Sequence, residues 1–500
     1  MRPASQTEAL VEEVTGLKPT GANFRRILKI LGDKKRAELI LETFSMLLQS
    51  SSVLDQRDYT VGISTCGRSN MWEHSCWLLH MMPKARVAAN AFTYNAAIGA
   101  CHNGGQWQQA MILFEDMQLA KVRPNVILYS AAISACAKGA RWQQGLELFE
   151  AMQNAEVNPD VICYNAIISA CGAGGAWQEA LKLFRATTEV TIDPDVVSYS
   201  ATISACETNG EWRQAFELLE EMQKAEVAPN EFTYGAAISA CEKGDQWQQA
   251  LMLFGTMEAR KVNPNVIICS ATISACEKGA QWQQGLTLLE AMEEGKACPN
   301  VVSYNAAISA CEKGGQWEHA LILFQAMQTL TLKPDVISYS ATISACEKGG
   351  EWQQALLFFW VMNEATVKPN VFSFSATISA CQIAGEWERA VMLFDIMKQA
   401  EVAPDVISYN ATMGACGSGN HWQQALTFFA QMTKDDVYPN ITSHKAAINA
   451  CHNSGQWQQV LILCETMPKS PAGHEALSAD TWENWRDLLN VALSMPNITG

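Results

Sequence analysis

VVSYNAAISACEKGGQWEHALILFQAMQTLTLKPD, residues Val301 to Asp335, decides the fold, because the same 35-residue text restarts with small changes from about residue 56 to residue 475. A fixed period of roughly 20 to 50 residues marks an array of small units, each unable to bury its apolar face alone and each stacking on its neighbours. One unit and its variation between copies therefore carry the whole reading.

Let the Val after each Pro-Asn or Pro-Asp be position 1. Apolar or small residues recur at positions 1, 4, 7, 8 and 11, here Val301, Tyr304, Ala307, Ile308 and Cys311. That spacing predicts helix A and leaves positions 2, 5, 6, 9, 12 and 13 on a free face. Lys313, Gly314 and Gly315 follow as a turn, with glycine supplying the backbone freedom that ends a helix. A second stripe through Trp317, Ala320, Leu321, Leu323, Phe324 and Met327 predicts helix B. Proline at position 34 recurs ten times, from Pro124 to Pro439, and closes the unit because it disfavours helix in the residue before it.

Twelve of sixteen tryptophans stand at position 17, from Trp72 to Trp457, where a large aromatic fills the seam between layers rather than forming a cofactor box. Twelve of seventeen cysteines likewise share position 11, from Cys66 to Cys451. Equivalent residues of stacked units lie a helix-pair layer apart, beyond the ~5.5 to 6 Å between Cα atoms that a disulfide prefers. There is no CxxC pair or zinc-finger spacing, so these cysteines read as small buried apolar residues in a reducing, intracellular setting, and no metal or cofactor is expected. The sequons at Asn410, Asn440 and Asn497 then read as coincidence.

Hydrophobic residues make up 48% of the chain and charged residues only 17%, ample for a continuous core. No apolar run approaches the ~18 residues of a membrane span. The N-terminus carries Glu8, Glu12 and Glu13 and shows no signal core or Arg-rich transit character. The expected organisation is a tail at 1–20, a degenerate helical cap at 21–55, twelve repeats over 56–475 and a capping helix at 476–500 beginning near Asp480.

The helix A text V-x-S/T-Y-N/S-x-x-I-x-A-C, the A-L-x-L-F-x-x-M of helix B and the closing Pro-Asn/Asp resemble the pentatricopeptide repeat over about 420 residues. The tetratricopeptide repeat has period 34 and an early Trp in its first helix, whereas Trp here opens the second. The resemblance implies an all-α, right-handed superhelical solenoid of about twelve 35-residue helical hairpins. It also implies binding of single-stranded RNA along the concave face, one base per repeat, in RNA processing or stabilisation in a chloroplast or mitochondrion.

Three positions carry that expectation. Position 2 is an apolar row, Phe92, Ile127, Ile162, Val197, Phe232, Ile267, Val302, Ile337, Phe372 and Ile407, which either sandwiches bases or fills the groove between A helices. Position 5 is nearly confined to Asn or Ser: Asn95, Ser130, Asn165, Ser200, Ser270, Asn305, Ser340, Ser375 and Asn410, with Thr60, Gly235 and Lys445 departing. Position 35 is only Asn or Asp: Asn90, Asn125, Asp160, Asp195, Asn230, Asn265, Asn300, Asp335, Asn370, Asp405 and Asn440. Asn and Asp both favour helix N-caps, yet a cap accepts Ser and Thr equally, and neither occurs here.

Asp only accepts hydrogen bonds and so suits G and U; Asn also donates and so suits A and C; Ser at position 5 leaves room for a purine where Asn reaches a pyrimidine. The family's code agrees. Read from residue 56 in the family's orientation, it spells 5′-A(C/U)GUANAUAG(C/U)-3′, with N at Gly235.

Charge opposes this ligand, since 35 basic against 51 acidic residues leave −16. Lys138, Lys243, Lys278, Lys313 and Lys348 recur at position 13 as candidate phosphate contacts, although four follow Glu242, Glu277, Glu312 and Glu347. Arg25, Arg26, Lys29, Lys34, Lys35 and Arg36 form either a solvated helix face or an entry point for RNA. A scaffold for peptide or protein partners is the second reading, favoured by acidity and disfavoured by the restricted chemistry at positions 5 and 35. An enzyme is the third. The tail has neither the HxE nor the CxxC of a zinc deaminase, only adjacent His474 and Glu475, so a monomeric, non-catalytic binder is expected.

Overall fold

A computed structural model describes residues 4–17, 23–33, 37–49, 54–190, 192–295 and 297–466. Within them lie 27 helices and no strand, an all-α solenoid of paired helices. The expected capping helix from Asp480, the sequon at Asn497, and Lys34, Lys35 and Arg36 lie outside the described residues.

The chain divides into two compact units, Met1–Asn263 and Pro264–Gly500. The first begins with helices Ala4–Thr15, Phe24–Asp33 and Ala37–Gln49 and continues through six hairpins, from Gln56–Arg68 with Trp72–Lys84 to Glu231–Lys243 with Trp247–Ala259. The second holds six more, from Val266–Lys278 with Trp282–Glu294 to Ile441–Asn453 with Trp457–Thr466. Within each unit, successive A helices pack side by side, and each B helix packs against its own A helix and the next.

Every helix A from Ala91 onward starts on the position-35 residue of the unit before it. Asn300, for example, is extended (φ −118°) and its side chain accepts the backbone N–H of Ser303. Such a cap contributes about 1 kcal/mol. Both helices of a hairpin close with a left-handed residue. After helix A, Gly315 has φ +68° and the Gln316 N–H reaches back to the Cys311 carbonyl at 2.8 Å. After helix B, Thr331 has φ +58° and the Leu332 N–H reaches the Met327 carbonyl at 3.0 Å.

The two glycines of the turn therefore have different jobs. Position 14 is an ordinary right-handed residue, with φ −81° at Gly314, so backbone freedom does not explain it. Its reason is space. A Cβ there would stand 2.1–2.6 Å from Cδ1 of the preceding unit's Trp at Gly104, Gly139, Gly174, Gly244, Gly314, Gly349 and Gly419. Helix freedom is needed only at position 15, and even there Ala140, Asp245 and Asn420 take positive φ.

The core also differs from the apolar stripe. In the helix Val301–Lys313 the buried positions are 3 to 8, 10 and 11, from Ser303 to Ile308 with Ala310 and Cys311, so positions 5 and 6, expected on the free face, are covered, whereas Val301 is half-buried. Position 4 meets position 24 of the preceding helix B. Phe114–Tyr129, Phe149–Tyr164, Phe184–Tyr199, Phe324–Tyr339, Phe359–Phe374 and Phe394–Tyr409 place ring centroids 4.8–5.2 Å apart. All twelve position-11 cysteines are free and buried, and burial pushes thiols such as Cys66 up to about 12. Cys76, off the repeat register, lies with its Sγ 3.6 Å from that of Cys101.

Candidate nucleic-acid interface

The apolar row at position 2 is exposed. Its ten members from Phe92 to Ile407 keep 52–73% of their surface, so they do not fill the groove between A helices. Position 5 behaves in the opposite way to a free-face residue. Ser130, Asn165, Ser200, Ser270, Asn305, Ser340 and Ser375 are only 5–9% exposed, while Thr60, Asn95 and Asn410 are half-buried. The reason is the close side-by-side packing of A helices, which covers position 5 with the first turn of the next one.

Position 35 caps helix A whether it is Asn or Asp. In Asn90, Asn125, Asp160, Asp195, Asn230, Asn265, Asn300, Asp335, Asn370, Asp405 and Asn440 the capping bond from the backbone N–H three residues on ends on Oδ1. Capping is therefore the same for Asn and Asp. The atom that differs, Nδ2 or Oδ2, takes none of these bonds, and Ser or Thr would have no such second atom.

Positions 5 and 35 meet in three units. Asn165 Nδ2 donates to Asp195 Oδ1 at 3.1 Å, Asn305 Nδ2 to Asp335 Oδ1 at 3.0 Å, and Ser375 Oγ to Asp405 Oδ1 at 3.3 Å. All three have Asp at position 35. Burial raises the Asp335 carboxyl, but the Ser338 backbone N–H, the Asn305 amide and the Ser338 hydroxyl outweigh it and hold the group below the usual carboxylate range. It stays ionised at neutral pH and only accepts hydrogen bonds.

The sequence reading missed position 3, a buried hydroxyl in eight repeats. Thr233 Oγ1 lies 2.9 Å from Ser200 Oγ, Ser303 Oγ lies 2.9 Å from Ser270 Oγ, and Ser338 Oγ donates to Asn305 Oδ1 at 2.6 Å. A hydroxyl recurring on an otherwise apolar face was the available signal.

Positions 2, 5 and 35 of one unit and position 2 of the next surround open clefts. Val197, Ser200, Asn230 and Phe232 line one of about 390 Å³. Ile407, Asn410, Asn440 and Thr442 line another of about 630 Å³, widened where glycine occupies Gly414 and Gly417. Each has an apolar side wall and a polar floor, the lining expected of a small-ligand slot.

The lysines at position 13 are largely engaged. Lys243 pairs with Glu207 at 3.3 Å, Lys313 with Glu277 at 3.1 Å and Lys348 with Glu312 at 2.9 Å, each reaching one unit back to position 12. Lys278 also has a partner. Lys138 has His102 at position 12 of the unit before, and burial with the Lys138 charge lowers the pKa of that imidazole. In the N-terminal basic cluster, Arg25 is held by Asp58 at 2.6 Å and Asp55 at 2.7 Å, whereas Arg26 and Lys29 are exposed. Among the described residues no cluster of His, Cys, Asp and Glu fit to hold a metal occurs, and no helix is long and apolar enough to cross a membrane.

Comparison with known families matches the PPR repeat family at residues 89–138, 124–172, 159–207, 194–243, 299–348 and 404–453, the pentatricopeptide repeat domain at 248–313 and 376–420, and the PPR repeat at 232–262. No curated protein matches this chain. Among solved structures, the pentatricopeptide repeat protein PPR10 from maize superposes with a TM-score of 0.59 at 20% identity, over 93% of this chain and 71% of that one. PPR10 in complex with an 18-nt psaJ RNA element gives 0.46 at 19% identity, over 99% and 72%. Yeast Rmd9p in complex with a 16-nt target RNA gives 0.35 at 12% identity, over 88% of each chain.

Proposed function

Because this chain belongs to the pentatricopeptide repeat family, matched over more than half its length, we propose that it binds single-stranded RNA in a sequence-specific way, one base per repeat. The observation that carries this reading is the recurring slot. Exposed apolar residues at position 2 stand on either side of a floor formed by positions 5 and 35, as Val197 and Phe232 stand about Ser200 and Asn230. Stacking on an apolar or aromatic wall accepts any base, and the floor then discriminates. Solved neighbours that hold RNA, PPR10 and Rmd9p, are consistent with that ligand.

Each floor pair acts through its uncommitted atoms. With Asp335 fixed as an ionised acceptor, its Oδ2 suits the protonated ring nitrogen of U or G, and the Asn305 side chain narrows the slot toward the pyrimidine. Asn230 offers Nδ2 instead and suits A or C, with the shorter Ser200 leaving room for the purine. The 5′-A(C/U)GUANAUAG(C/U)-3′ sequence follows from these pairs. Family membership suggests a chloroplast or mitochondrial transcript, and binding itself, without chemistry, is the expected mode of action.

Filter binding of the full-length protein at several salt concentrations tests this. The expected result is tighter binding to that RNA than to its scramble; equal affinity for the two would overturn the reading.

A further inference from the structure

We infer that the hydroxyl at position 3 is a positioning residue for specificity: it holds the base-reading side chain at position 5 of the repeat before it. The inference rests on the RNA-binding reading and extends it to a residue that touches no base.

Position 5 side chains are buried polar groups, and a buried polar group without a partner is free to choose among rotamers at an energetic cost. The Asn305 amide has both ends engaged: Nδ2 donates to Asp335 Oδ1 at 3.0 Å, and Oδ1 accepts from Ser338 Oγ at 2.6 Å. Ser338 is itself fixed, accepting the Asp335 backbone N–H at 3.1 Å while its own N–H donates to Asp335 Oδ1 at 2.9 Å; its one hydroxyl proton is shared between Asn305 Oδ1 at 2.6 Å and Asp335 Oδ1 at 3.0 Å, the shorter contact being to Asn305. These bonds fix which way the amide faces, and hence whether the slot meets a donor or an acceptor. Where Asn occupies position 35, position 5 meets the position-3 hydroxyl itself, as in Ser200 with Thr233 and Ser270 with Ser303, Ser270 also donating to the Val266 carbonyl at 2.7 Å.

Other repeats lack this hold. Asn95 faces a unit with Leu128 at position 3 and makes no side-chain bond, whereas Asn165 Oδ1, Ser340 Oγ and Asn410 Oδ1 are buried without a partner. The array thus contains held and unheld reading residues. Ser373 provides an internal control, because its hydroxyl makes the capping bonds to Asn370 N and O at 3.0 and 2.9 Å but leaves Ser340 unpartnered.

The test titrates full-length wild type, Ser338→Ala, Ser338→Thr and Ser373→Ala with 5′-A(C/U)GUANAUAG(C/U)-3′ RNAs. The U read by the 301–335 repeat, or the A read by the 336–370 repeat, is replaced by each other base. Ser338→Ala is expected to cut the preference for U about fivefold, the equivalent of one neutral hydrogen bond, and Ser338→Thr to restore it. Ser373→Ala is expected to lower thermal stability as much as Ser338→Ala while leaving the preference for A unchanged. An unchanged U preference in Ser338→Ala, or equal losses of preference in the two alanine variants, would overturn the positioning role alone. A wild type without any base preference would overturn the RNA reading as well.

Discussion

The indole of Trp282 lies so close to the backbone of Gly314, one repeat further on, that a Cβ at Gly314 would stand 2.4 Å from Cδ1. Gly315 beside it meets nothing within 4 Å and differs only in its φ of +68°. Two adjacent glycines are thus required for unrelated reasons, one by a neighbouring layer and one by its own backbone.

Gly314→Ala should therefore destabilise the array by about 1–3 kcal/mol through overpacking, and Gly315→Ala by about 1 kcal/mol through left-handed strain. Urea unfolding of both variants checks this. Shrinking the indole with Trp282→Leu should make the Gly314→Ala change less costly, because residues in contact are not additive. Additive losses would show that the contact is not the reason for the glycine.

Thr331 and Thr366 hold φ of +58° and +59° at the end of their B helices, a strained region for a β-branched residue. Asn70 and Asn420 already occupy the same region at φ +60° in other turns. Thr331→Asn is expected to stabilise the protein by about 0.5–1 kcal/mol, since Asn tolerates the left-handed region better. Thermal unfolding by circular dichroism reads this as a raised Tm, and a lowered Tm would refute it.

Glu347 is the last acid of the position-12 series, and the residue that would supply its lysine partner one unit on is Ile383. Burial pushes its carboxyl up to about 7, against the opposing pull of Ser379 and Lys348, and Glu312 adds to the rise. Its folded pKa thus exceeds the ordinary 4.5. Stability is fully present below pH 4.5, falls as the unfolded chain ionises first, and reaches its full loss above about pH 7. Ile383→Lys and Glu347→Gln should each raise Tm at pH 8 relative to wild type and leave it unchanged near pH 4; identical pH profiles would contradict the assignment.

Glu312→Gln should release Lys348 from its 2.9 Å ion pair. If that lysine then meets an RNA phosphate, affinity rises and the slope of log K against log salt steepens by about 0.7, the value for one more phosphate contact on a single strand. The wild-type slope should be shallow, because the other position-13 ion pairs blunt the same potential. A slope unchanged in the variant would remove Lys348 from the interface.

Much of the fold was legible from Val301 to Asp335 alone, because helix spacing, closing turns and N-caps depend on residues within about one helical turn of each other. Ser303 reaches back only to Asn300 to cap its helix, and such local bonds print themselves on a sequence as short-range pattern. The pairing of Asn305 with Asp335 was partly legible, as restricted chemistry at two positions, but the pattern gave no hint that Asn305 is buried while Asp335 stays exposed.

What only the tertiary structure decided involves partners about one repeat away. Ser338 touches Asn305, Lys348 reaches Glu312, and Trp282 covers Gly314, at separations of 33, 36 and 32 residues. In a periodic chain every unit offers the same residues to either neighbour, so the sequence by itself determines a helical hairpin repeated every 35 residues with Asn or Asp at each joint. Which side chains are buried by that stacking, and which exposed lysines are already paired, follows from how closely one A helix lies against the next; that distance is set by packing between units and is absent from the period itself.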